Sequence, residues 1–472
     1  MSTLTALARA QAYAAGRAAP IATVRHLHVH DRPLVLIPLA MAGEANAPLA
    51  ALVGTTASSP QLLVVAQPRN RDERFAFVSS LASIVLPYLD SFAGVAEPVA
   101  VDRGRDVRFR FVDAPQVWVP NTGGVDFLRL LGRSTRFRTV DGEYPVEPGV
   151  PLLGRWLTFL ANSAEVPGSS LLPNAVQALG LYWATGQSSA EDASLGALLA
   201  WISPPEGSSV FEAARLAEQS APAGPATDPD FDNRVLAPLM SAPAVDLPGL
   251  TAVLRDVLTP TWTLMWRTLD LLRDLPAGAR VAGRWDGDRD AYSAFVQHLA
   301  DGGPPQPRRD GAVAAAARLH RLENAATRYA VQRAFDDPLV MAEYRLSGAA
   351  FAGVVTLAKA DRIDDSGKRP VLRPRIMVRA SEPVRVEAGA ALTSPARPSQ
   401  KATVISITGS DVLLELSGGM GRKLVAEPGS VPEVGERLLL TTLSEAYRPG
   451  GSFPDPDETP WTHGGPPVAE TR

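Results

Sequence analysis

Cysteine is absent from this 472-residue chain, which excludes disulfides, thiolate metal sites, iron-sulfur clusters and cysteine nucleophiles together. Long apolar runs are missing too: the stretch 75–89 is broken by Ser79, Ser80, Ser83 and Pro87, so no bilayer-spanning segment is expected. The first thirty residues carry Arg9, Arg17 and Arg25 and no acid before Asp31. They read as an amphipathic N-terminal helix, with an organellar transit peptide as the alternative; no apolar core of a secretory signal follows them. Catalytic signatures are missing as well. There is no Gly-x-Ser-x-Gly, no His-Glu-x-x-His and no kinase set, and the glycines of 418–423 are wrongly spaced for a phosphate loop, with Leu424 where Ser or Thr is required.

Lysine is the scarcest cation. Lys359, Lys368, Lys401 and Lys423 are its only occurrences, and every other cation is arginine. With abundant alanine, proline and glycine, this looks like the codon usage of a high-GC bacterial genome, and a cytoplasmic location is expected. The lysines share one basic stretch. Lys368, Arg369, Arg373, Arg375, Arg379, Arg385, Arg397, Lys401, Arg422 and Lys423 stand against Glu382, Glu387, Asp411 and Glu415, an excess of six positive charges in a chain of net charge −4. Such a local field suits a nucleic-acid backbone or an acidic protein surface. No aromatic residue lies between Phe351 and Tyr447, so a barrel here has no platform for stacking unpaired bases. Duplex backbone contact or protein docking remains, and the alternative is cations that only guard exposed strand edges. The candidate partner-binding residues are Lys368, Arg369, Arg373, Arg375, Lys401, Arg422 and Lys423.

Periodicity predicts an α+β multidomain protein. Residues 1–20 form an N-terminal helix or tail, and 21–145 a mixed α/β domain. In the latter the apolar runs 34–39 and 62–66 are strands, 72–90 is a helix, and Val107, Phe109 and Phe111 alternate with Arg108 and Arg110. A helical domain, 146–300, follows, with a proline-rich loop at 205–250 and a helix carrying Trp262 and Trp266 one turn apart. A long helix at 308–345 presents one narrow apolar stripe. Residues 346–446 hold strand-like runs at 373–379, 403–407, 412–416 and 437–442, with Gly409-Ser410 as a hairpin turn, in a small basic β-barrel of OB or SH3 size. The tail 447–472 is expected to lack regular structure.

Several constellations are candidates for chemistry. His26, His28 and His30 alternate with Leu27 and Val29, so on a strand the three imidazoles share a face that could hold a divalent metal. The stretch resembles the His-x-His of amidohydrolase-type metal sites, which implies a metal-dependent hydrolase. Asp228, Asp230 and Asp232 resemble the start of a calcium loop, but Asn233 replaces its turn glycine and Leu239 its bidentate acid. Arg69, Arg71 and Arg74 crowd the start of the predicted helix, where they could bind an anion or pair with Asp72 and Glu73. Asn121, Gly123 and Gly124 could cradle a phosphate at a strand-to-helix turn. A long helix leading into a small barrel resembles, over 310–445, the stalk-and-barrel accessory modules of some superfamily-one helicases. That implies a part working beside a nucleic-acid enzyme.

The leading expectation is therefore a non-catalytic intracellular binding or scaffold protein, an accessory subunit of a bacterial nucleic-acid-processing or defence assembly. Its basic barrel engages another protein subunit or a nucleic-acid backbone, without a membrane and without a cofactor. The alternative is a metal-dependent hydrolase built on His26, His28 and His30.

Overall fold

A computed structural model describes residues 2–44, 47–101, 105–220, 226–241, 245–367, 369–421, 423–445 and 452. The protein is α+β. It divides into two compact units, residues 5–326 and residues 327–449 with the first four residues. The tail 447–472, expected to be irregular, lies outside the described residues apart from Ser452. Among the described residues no helix is long and apolar enough to cross a membrane.

The first unit is built on a four-stranded sheet in the order Gln61–Val64, Pro48–Gly54, Leu34–Ala40, Val117–Trp118. Val117–Trp118 runs parallel to Leu34–Ala40, and the other pairs are antiparallel. Every residue of Leu34–Ala40 and Pro48–Gly54 is buried, which is why these strands read as unbroken apolar runs. Side-chain alternation separates two cores. Leu34, Leu36, Ala51 and Val53 face a core shared with the helices Arg71–Asp90, Gly149–Ser163 and Val281–Ala300. Val35, Ile37, Leu39 and Leu52 face another, where Leu250, Leu254, Leu258, Trp262, Met265 and Leu269 line the helix Leu247–Arg273. The sequence division at 145 falls inside both cores, so 21–145 and 146–300 pack as one unit. Val107, Phe109 and Phe111 do lie on a strand, Asp106–Phe111, but among the described residues it pairs only with Ala96–Val101 and leaves Phe109 exposed.

In the second unit six antiparallel strands close a barrel in the order Arg375–Ala380, Asp411–Ser417, Arg397–Thr408, Ala391–Ser394, Arg437–Thr441, Ala350–Lys359. Gly409 takes φ +61° in the turn that pairs Thr408 with Asp411, as the Gly-Ser signal predicts. Inward-facing Phe351, Val355, Ile376, Val378, Val404, Val412, Leu414 and Leu438 fill the interior. The long helix expected over 308–345 is broken in two, Ala312–Asp336 and Pro338–Ser347. Pro338 has no amide hydrogen to continue the first helix, and the Asp337 carboxylate caps the second by accepting from the Leu339 N–H at 2.8 Å.

Candidate functional site

The barrel topology brings the predicted cations to one end of the wall. Lys359 pairs across the strands with Arg375, Arg375 with Glu415, and Glu415 with Thr403, so these side chains form one outward row. Lys401 stands two residues from Thr403, opposite Ser417. Between Lys359 and Arg375 the chain makes a second hairpin, Ile363–Asp364 with Val371–Leu372, which carries Arg369 beyond the wall. The loop holding Lys423 leaves the strand after Ser417, at the same end. Here Gly418 and Gly419 adopt φ +75° and +67° and fold back on Ser399. Lys368 and Arg422 lie outside the described residues.

Charge at this end is partly compensated. Glu415 accepts from Arg362 at 2.7 Å and from Arg375 at 3.0 Å, while Arg373 donates to the Leu372 carbonyl at 3.0 Å. Asp364 sits in the field of Arg362 and Arg373, and its carboxyl is held below its ordinary range chiefly by hydrogen bonds from Ser366. Arg369, Lys401 and Lys423 are exposed. Exposed Leu357, Ile363, Val371, Leu424 and Val425 lie among them. At the opposite end Arg379 is committed to Asp411, at 2.9 Å.

The three arginines at the helix start do not form one anion site. Arg69 pairs with Glu44 at 2.5 Å and lines a cavity of about 320 Å³ with Gln67, Asp232 and Asn233. Arg71 and Arg74 instead line a different cavity of about 320 Å³, together with Arg138 and with Pro48, Phe75, Val78, Phe127, Leu131, Ser134 and Thr135. The helix amides next to them are already taken, because the Asn70 side chain accepts from Asp72 N–H and Glu73 N–H. Arg138 and the apolar floor were not anticipated. Phe127, Leu131 and Thr135 do repeat every four residues on one face of the helix Thr122–Thr135, but nothing in that pattern says which helix they oppose. Asn121 caps this helix by accepting from the Gly124 N–H at 3.2 Å. A Cβ at Gly124 would lie 2.8 Å from Val119 Cβ, so that glycine serves close packing.

The histidine segment is corrected by the fold. Residues 26–30 form no strand; their backbone is held by side chains. The His26 N–H donates to Tyr182 Oη at 2.9 Å, His28 N–H to Ser170 Oγ at 3.0 Å, and His30 N–H to Gln116 Oε1 at 2.9 Å. Buried Gln116 uses both ends of its amide, accepting from Trp118 Nε1 at 2.8 Å as well and donating to the His28 and Ser170 carbonyls at 2.8 Å each. The His26 ring stacks on Tyr182 at 6.1 Å, while the His28 and His30 rings meet edge-on at 5.9 Å. His28 stacks on Trp285 at 4.0 Å, whereas His30 takes Asp113 on Nε2 at 2.7 Å and accepts the Arg32 N–H on Nδ1 at 2.8 Å. Both ring nitrogens of His30 are thus engaged without a metal. Among the described residues no group of three or more His, Cys, Asp or Glu could hold a metal ion.

Two titratable groups complete this picture. Burial lifts the Asp288 carboxyl from 3.8 to about 7, although Ser169 Oγ–H and Ser170 N–H both donate to it at 2.7 Å. Burial likewise pushes His28 from 6.5 down to about 4. The acidic run 228–232 is dismantled in the fold. Asp228 caps Phe231, Asp230 pairs with Arg234 at 3.6 Å, and Asp232 accepts from Thr227 and from the Ala42 N–H. No protein family, curated protein or solved structure matches this chain.

Proposed function

We propose that the chain is a non-catalytic binding protein of the bacterial cytoplasm, an accessory subunit whose barrel docks an acidic protein partner through its lysine-bearing end. The observation that carries this reading is the gathering of Lys359, Arg362, Arg373, Arg375 and Lys401 around Glu415, with Arg369 and Lys423 on the adjoining hairpin and loop. Edge protection does not account for Lys359, Arg375 and Lys401, because the closed barrel that carries them leaves no edge strand to guard among the described residues. Exposed Ile363, Val371, Leu424 and Val425 favour a protein partner over a phosphate backbone, which offers those side chains no apolar surface.

The test titrates the full chain with fluorescent poly-glutamate and with duplex DNA at several salt concentrations, before and after Arg369, Lys401 and Lys423 are changed together to alanine. Poly-glutamate binding is expected to weaken about tenfold in the triple variant and to fall with salt. In Glu415→Gln, which frees Arg362 and Arg375, it is expected to strengthen. A salt-steep loss confined to duplex DNA transfers the surface to a nucleic-acid backbone. Indifference of both probes to the substitutions removes the docking role.

A further inference from the structure

We propose that the cavity between the helices Arg71–Asp90 and Thr122–Thr135 binds a small carboxylate with an apolar body, such as a short acyl or aryl carboxylate. Its floor is Pro48, Val78, Phe127, Leu131 and half-buried Phe75, and its rim is Arg71, Arg74 and Arg138 with Ser134. No carboxylate is among the residues that line it. An apolar floor under a cationic rim is complementary to a molecule with one anionic head. At about 30 Å³ per water-sized group, a cavity of about 320 Å³ takes a body of roughly ten non-hydrogen atoms. That leaves little room for a nucleotide.

The rim is held in place before any ligand arrives. Phe75 lies under two guanidinium groups, Arg71 at 4.8 Å and Arg138 at 5.1 Å from its ring centre. Arg71 also lies 5.4 Å from the Tyr144 ring and donates to the Tyr144 carbonyl at 3.2 Å, and Arg138 Nε donates to the Ser134 carbonyl at 3.2 Å. Planar guanidinium forks fixed over an aromatic ring match the two oxygens of a carboxylate. Two acids compete nearby. Asp72 meets Arg71 at 2.7 Å but is itself largely exposed, and Glu44 feels Arg74 while bonding Arg69. Pairs this exposed are weak, so a carboxylate seated on the apolar floor displaces them.

Calorimetric titration of the full chain with octanoate, with neutral octanamide and with inorganic phosphate tests the site, using the wild type, Arg71→Ala and Arg138→Ala. All three proteins are first compared by thermal melting, and these rim substitutions are expected to leave the melting temperature unchanged. Octanoate is expected to bind at one site, about tenfold more tightly than octanamide, with each substitution weakening octanoate about tenfold and leaving octanamide unaffected. Phosphate alone is expected to give no saturable heat. The proposal is overturned if millimolar octanoate produces no binding, if octanamide or phosphate matches it, or if the arginine variants bind octanoate as the wild type does.

Discussion

Asp288→Asn is expected to stabilise the protein increasingly as pH rises, by ~4 kcal/mol between pH 4 and pH 7 relative to wild type. The folded carboxyl titrates near 7 and the unfolded one near 3.8, because burial penalises its ionised form more than Ser169, Ser170 and the Arg284 field favour it. Between those values the folded state holds a proton that the unfolded state has lost, so wild-type stability falls with rising pH, and above 7 the loss is complete. Asparagine removes the titration. Its amide can turn so that its oxygen still accepts the Ser170 N–H and its nitrogen donates to Ser169 Oγ. His28 works in the opposite sense. Its folded value near 4 lies below 6.5, so its contribution is present above 6.5 and fades as pH falls to 4. His28→Phe, which can keep the stack on Trp285, is therefore expected to gain ~3 kcal/mol on wild type as pH falls over that range. Ser170 joins the two groups, giving its N–H to Asp288 and taking the His28 N–H on Oγ. Wild type thus carries two opposed slopes that nearly cancel, and each substitution exposes the other. Urea unfolding at pH 4, 5.5, 7 and 8 reads this directly; parallel stability curves for wild type and Asp288→Asn would sink it.

Why the sequence could not single out Asp288 is instructive. Asp286, Asp288 and Asp290 alternate along one helix, and only the packing of that helix decides which of them loses water. Asp286 and Asp290 pair with Arg289 and Arg108 at 2.9 and 2.6 Å, while Asp288 faces the core. The alternating histidines illustrate a second ambiguity. Spacing by two marks any extended backbone, whether its hydrogen bonds go to a neighbouring strand or, as here, to Tyr182, Ser170 and Gln116. The buried strand Leu34–Ala40 was legible because its apolar run is long and rich in branched residues. Pro48–Gly54 was not, since its alanines, proline and glycine carry little strand preference and its burial comes from tertiary packing. In the barrel the turn at Gly409 and the strands beside it were legible from local chemistry. Ala350–Lys359 closes the barrel through long-range pairing with Arg437–Thr441, which no local pattern announces. Arg71 and Arg74 stood out as a cluster for the same local reason, whereas Arg138, far along the chain, joins them only through the fold.

Gly154→Ala is expected to destabilise the protein by about 3 kcal/mol or more, against the usual sense of that substitution in a helix. The helices Thr122–Thr135 and Gly149–Ser163 meet through glycine on both sides. A Cβ at Gly154 would overlap the Arg136 amide nitrogen and lie 2.5 Å from Thr135 Oγ1 and 2.8 Å from Arg136 Cα. One at Gly132 would lie 2.8 Å from Thr158 Oγ1 and 2.9 Å from Thr158 N. Neither neighbour can yield cheaply. Backbone atoms move only with their helix, and both threonine hydroxyls are bonded to their own helix, Thr135 to Leu131 O at 2.6 Å and Thr158 to Gly154 O at 2.8 Å. Gly283→Ala supplies the contrast, because that exposed helical glycine has nothing within 4 Å of a new Cβ. There, alanine is expected to gain about 0.5–1 kcal/mol by restricting the unfolded chain. Opposite signs in urea unfolding would confirm the close crossing, and a gain at both positions would refute it. The same crossing sets one wall of the arginine-rimmed cavity, since Leu131, Ser134 and Thr135 lie in the last turns of the helix that a Cβ at Gly154 would push. Octanoate affinity is therefore expected to drop in Gly154→Ala at temperatures where the variant is still folded, and to stay unchanged in Gly283→Ala.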